Sequence, residues 1–191
     1  MRLDRMVLAL AVAAALVLPP AVMAQQPAPA PAQKDQGKGG LAAADRRFVM
    51  EAARGNLAEV ELGKLAAEKG SADAVKQFGK RVADDHAKAE AELKDFADKK
   101  RMTLPTDLDP KHKQLRARLA KLTGADFDRA YASEMVKDHK KDVADFKREA
   151  RGAKDPDLKA WAGKTLPTLE DHLKAAQDMQ AQVKSAPRAA R

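Results

Sequence analysis

From Asp45 onward, apolar residues recur at spacings of three and four, and no alternating run of β-branched residues appears. That spacing lines up one face of an α-helix, whereas a half-buried strand needs a period of two. The chain is therefore predicted to be all-α. Stop and start signals cut the pattern into four long helices. The first runs from Asp45, as N-cap, to Lys69, with Gly70 as the C-terminal stop. The second starts at the cap Ser71 and runs to about Arg101, before Pro105 and Pro110 break the chain. The third begins near Thr123, where Thr123 and Asp126 form a capping box, and ends before Gly152. The fourth opens on the cap Asp155 and Pro156 and continues to about Lys184. Helices of this length suit an antiparallel four-helix bundle. A short fifth helix, Leu108 to Leu122, falls between the second and third, with Leu115, Leu119 and Leu122 as its apolar stripe.

The bundle domain is thus expected over residues 45–185, with three segments outside it. Residues 1–24 read as an export signal: Arg2 and Arg5, an apolar run from Met6 to Leu18, and the small-x-small site Val22-Met23-Ala24. A membrane anchor is the alternative, but the 13 positions from Met6 to Leu18 fall short of the ~20 that a spanning helix needs. The expected location is periplasmic or secreted, with no transmembrane span once the signal is removed. Residues 25–44, rich in proline, alanine and glycine, read as a disordered tether, and 186–191 as a disordered basic tail. There is no cysteine, which excludes disulfides and thiolate chemistry.

The formal net charge is +8, yet 28 acidic residues are interspersed with 36 basic ones. The few aromatics fall mostly on apolar stripes, so base stacking is not available and nucleic acid is not an expected partner. The one strongly basic face belongs to the short helix: Lys111, Lys113, Arg116, Arg118 and Lys121, with no acid among them. It reads either as a solvated face or as a contact for an anionic envelope surface.

Chemistry concentrates in the histidines. Three of the four follow an aspartate: Asp85-His86, Asp138-His139 and Asp171-His172. His86 continues the series Val75, Phe78, Val82; His139 continues Phe127, Tyr131, Met135; His172 continues Trp161, Thr165, Leu169. The histidines should face the core and the aspartates, ~100° away around each helix, the flank or solvent. The first helix has Phe48, Ala52, Gly55, Glu59, Leu62 and Ala66 on its inward face, so it offers Glu59, or Glu51 if the helix is rotated. Glu59, His86, His139 and His172 lie 14, 15, 16 and 17 residues from their helix starts, which puts them in one mid-bundle layer. Three imidazoles and a carboxylate make a ligand set for one zinc, copper, nickel or iron ion. The alternative is a core hydrogen-bond network completed by the hydroxyls of Tyr131 and Thr165, which would leave the protein a structural or envelope-stress interaction protein acting through its basic helix. Pro167, five residues before His172, either bends its helix or opens a path to the layer. His112 is expected at the surface. The sequence carries no zinc-protease, hydrolase, calcium-loop or nucleotide-binding motif, so a catalytic activity is not expected.

The segments FVMEAARGNLAEVELGKLAAEKG, VKQFGKRVADDHAKAEAEL, FDRAYASEMVKDHKKDV and TLPTLEDHLKAAQDM resemble the bacterial family called domain of unknown function 4142, from about Phe48 to Met179. The resemblance implies an exported ferritin-like four-helix bundle and brings no established activity. Di-iron bundles of that fold carry a glutamate three residues before the histidine on two helices. Here Ala83, Val136 and Leu169 occupy those positions, so a mononuclear site is expected instead.

Overall fold

The computed structural model describes residues 40–185. The expected export signal, most of the tether and the basic tail lie outside them. Among the described residues all regular structure is α-helical: α1 (Ala43–Lys69), α2 (Asp73–Lys99), α3 (Pro110–Ala120), α4 (Gly124–Gly152) and α5 (Pro156–Ser185). None of these helices is long and apolar enough to cross a membrane.

α1 packs most extensively on α2, and α4 on α5, so the domain is two helical hairpins. α2 also meets α5 and α1 meets α4, while α3 lies against α1 and α4. Two apolar cores fill the space between them. One gathers Leu62 and Leu65 from the end of α1, Val75 and Phe78 from the start of α2, Phe127 and Tyr131 from the start of α4, and Met179 and Val183 from the end of α5. The other gathers Phe48 and Val49, Leu93 and Phe96, Val143 and Phe146, and Leu158 and Trp161 from the opposite ends. Partners within each hairpin are therefore antiparallel. α1 and α2 come closest at Gly63 and Gly79, where a Cβ on Gly63 would lie 2.5 Å from the Gly79 carbonyl oxygen. Only glycine allows that approach.

Several helix ends differ from the sequence expectation, and the reasons are tertiary. Asp45 is not the cap of its own helix. It sits buried inside the first turn of α1, and its carboxylate accepts from the backbone N–H groups of Lys154 (3.0 Å) and Asp155 (2.8 Å) at the start of α5. Ser71 likewise does not cap α2. Its backbone N–H, its hydroxyl and the Ala72 N–H all donate to Asp128 of α4. Each hairpin thus lends an aspartate to a helix start of the other, a favourable place for negative charge. Thr123 stands at the N-cap of α4 without a side-chain bond, so the expected capping box does not form. Pro110 does not break the chain; it occupies the first turn of α3, where its missing N–H costs nothing, behind the cap Asp109. α2 stops at Lys99, because Arg101 takes φ +55° and the Met102 N–H turns back to the Ala97 carbonyl.

Candidate metal centre

Between the two apolar cores lies a polar layer. In sequence, Glu59 falls between Ala53 and Leu62, His86 between Val82 and Leu93, His139 between Val136 and Val143, and His172 between Leu169 and Ala176, each pair split between the cores. His139 and His172 are 0% exposed and His86 5%. Their ring centroids are 5.7 Å (His86–His139), 5.5 Å (His86–His172) and 5.3 Å (His139–His172) apart. The Phe78 ring meets His139 and His172 edge-on from the side of the first core.

Each ring has one nitrogen committed and one free. His139 Nδ1 lies 2.9 Å from the Met135 carbonyl oxygen, so it carries the proton and donates. His86 Nδ1 donates to Asn56 Oδ1 at 3.0 Å. His172 Nε2 donates to Asp85 Oδ2 at 3.1 Å. The other nitrogens, His86 Nε2, His139 Nε2 and His172 Nδ1, are buried and have no hydrogen-bond partner. An imidazole whose far N–H is held by a carbonyl or carboxylate is oriented and made more basic, as histidine ligands of metals are. Tyr131 and Thr165 do not complete a network. The Tyr131 hydroxyl has no partner, and the Thr165 hydroxyl donates to the Trp161 carbonyl.

Electrostatics keep the lone pairs available. Burial, followed by the neighbouring rings His139 and His172, holds His86 well below the ordinary imidazole range. Burial pushes His139 down to about 4. Burial also lowers His172, against the opposing pull of Asp85. All three are neutral at pH 7 and able to ligate. Partial burial works against ionising Asp85, but the bonds from His172 and Lys88 outweigh it and hold that carboxylate below its usual value. One nitrogen from each of the three rings lies within 4.8 Å of the others. An ion bound at 2.0–2.1 Å needs its ligands about 3.4 Å apart, so each ring would have to draw inward by less than ~1 Å.

The family's sequence profile, described as Domain of unknown function (DUF4142), matches residues 30–179. The chain belongs to this family. No curated protein matches it in sequence. In structure the DUF4142 chain is similar to the crystal structure of a DUF305 fragment from Deinococcus radiodurans. The TM-score is 0.65 at 12% identity, over 75% of this chain and 99% of that one. That likeness concerns the fold alone.

Within this DUF4142 domain, Glu59 stands apart from the three nitrogens. It is 3% exposed, and its Oε1 lies 4.0 Å from His139 Nδ1, the proton-bearing side of the ring. Burial, then Asp142, Asp138 and Glu134, raise its pKa well above the usual carboxyl value and so favour its neutral form. Glu51 does not replace it; that residue is exposed.

The three Asp-His pairs have unequal fates. Asp171 is solvent-exposed, near Arg81. Asp138 is half-buried and raised, chiefly by burial. Asp85 alone reaches the layer, and it holds His172 of another helix rather than its neighbour His86. Asp85 and Asn56 are the site residues that sequence reasoning missed. Asn56 lies on a buried face of α1 wider than the expected stripe, because α1 packs against both α2 and α4.

The basic face of α3 is largely engaged. Lys113 meets Asp107, Arg116 meets Glu61 (3.5 Å) and Arg118 meets Glu134 (3.5 Å). His112 is half-buried, not fully exposed, with its Nδ1 3.1 Å from Asp109.

Proposed function

We propose that this protein is an exported, ferritin-like helical bundle that binds one first-row transition-metal ion through His86 Nε2, His139 Nε2 and His172 Nδ1. It acts as a binding protein rather than an enzyme. One observation carries the reading: three buried, neutral imidazoles at one level each have a held N–H and an unpartnered lone pair. Unpartnered buried polar atoms are costly, and three together call for a ligand. Two hairpins joined through a long connection that contains α3 support the ferritin-like assignment. The apolar residues Ala83, Val136 and Leu169, where bridging glutamates would stand, support a single ion over a di-iron pair. Nitrogen ligands without sulfur suit zinc, copper, nickel or iron. Glu59 joins only if the ion displaces its proton. Export rests on residues 1–24.

Equilibrium dialysis of the purified chain against zinc or cobalt tests this. One ion per chain is expected, and none in the His86/His139/His172→Ala variant. Equal loading of both proteins would reject the site.

A further inference from the structure

His86 and His172 also line a cavity of about 190 Å³ that reaches the surface among α1, α2, α4 and α5. Five carboxylates and three ammonium groups share its walls. Every lysine is already paired: Lys88 with Asp85 (3.2 Å), Lys141 with Asp145 (2.7 Å) and Lys164 with Glu92 (2.6 Å). Glu51 and Asp142 are left without an ion pair, and the wall is net negative. Its lining includes His86, 5% exposed, whose Nε2 is unpartnered, and the fully buried His172. Gly55 leaves the passage clear, since a Cβ there would meet nothing within 4 Å. Lys164, Thr165, Thr168 and Leu169, the residues around Pro167, form the α5 side of the same wall.

We infer that this cavity is the path by which a hydrated divalent cation reaches and leaves the histidine layer, with Glu51 and Asp142 drawing it to the mouth. The inference rests on the metal-binding reading above. It adds that the site exchanges its ion with solvent and is not a sealed structural centre. A negative cleft raises the local concentration of cations and hence their association rate. Three imidazoles would fill three positions of a four-coordinate ion and leave the fourth for water, as open sites do.

Stopped-flow binding of Co²⁺ to the full chain tests the path, at pH 8, where Asp142, pushed up to about 7 by burial, is ionised. Glu51→Gln/Asp142→Asn should slow association about tenfold and flatten its dependence on salt. Gly55→Phe, which puts a ring into the open space of the cavity wall, should slow association and dissociation by the same factor. Co²⁺ bound by all three proteins at unchanged rates would overturn the path and leave the histidine site standing. No Co²⁺ uptake by the unmutated chain would overturn both.

Discussion

Zinc or cobalt at about a thousandfold excess over its dissociation constant should raise the unfolding midpoint by roughly 10 °C. The size follows from linkage. An ion that binds only the folded chain contributes about 4 kcal/mol at that excess, and each kcal/mol moves a domain of this size by roughly 2–4 °C. The proposed ligands come from α2, α4 and α5, so an ion held by all three would tie one hairpin to the other and could not bind either alone with full affinity. Calorimetry with and without metal makes the measurement. His86/His139/His172→Ala should show no shift, and a similar shift in that variant would mean the ion binds elsewhere.

Without metal, Glu59→Gln should stabilise the protein at pH 8, and the gain should vanish as the pH falls to about 4.5. Glu59 has a folded pKa raised above its unfolded value. As pH rises past about 4.5 the unfolded chain loses that proton first, so the wild type loses stability while a neutral glutamine does not. Asp142 acts with the same sign up to about pH 7. The histidines act oppositely. His139, depressed to about 4, is neutral in the fold while the unfolded chain protonates below about 6.5; the resulting loss reaches about 3 kcal/mol by pH 4. His86 and His172 add to that loss. The two sets partly cancel in the wild type, and removing Glu59 leaves the acid-side loss more visible. Urea unfolding at pH 4.5, 6 and 8 separates the two sets. A stability difference that is constant across that range would contradict a buried, protonated Glu59.

The histidine layer was legible because a helix repeats every three to four residues. A polar residue that falls on an apolar stripe must go where the stripe goes, and His86, His139 and His172 all do. What periodicity cannot say is which residue of another helix stands opposite. Asp85 therefore looked like the solvent-side neighbour of His86, when it is the partner of His172 across the α2–α5 contact. The same blindness made Asp45 and Ser71 look like local caps, although a capping signal in sequence fits a helix start in cis or in trans equally well. Asp45 accepts from the backbone just ahead of α5, whose own cap is Asp155, and Ser71 donates to Asp128. Glu59 was correctly read as buried, but its charge was not. Burial, with Asp142, Asp138 and Glu134 nearby, works against its charge, and those neighbours are set by the packing of α4 on α1. Asn56 gave no sequence signal beyond adjacency to Gly55, since an amide next to an expected inward position carries no periodic mark.

The proposed centre holds one ion on three imidazole nitrogens. X-ray absorption on the zinc-loaded chain tests it most directly. About three histidine nitrogens at roughly 2.0 Å are expected, with the outer-shell scattering of imidazole rings and no sulfur. A shell of oxygens alone, or an unchanged spectrum in the His86/His139/His172→Ala variant, would contradict it.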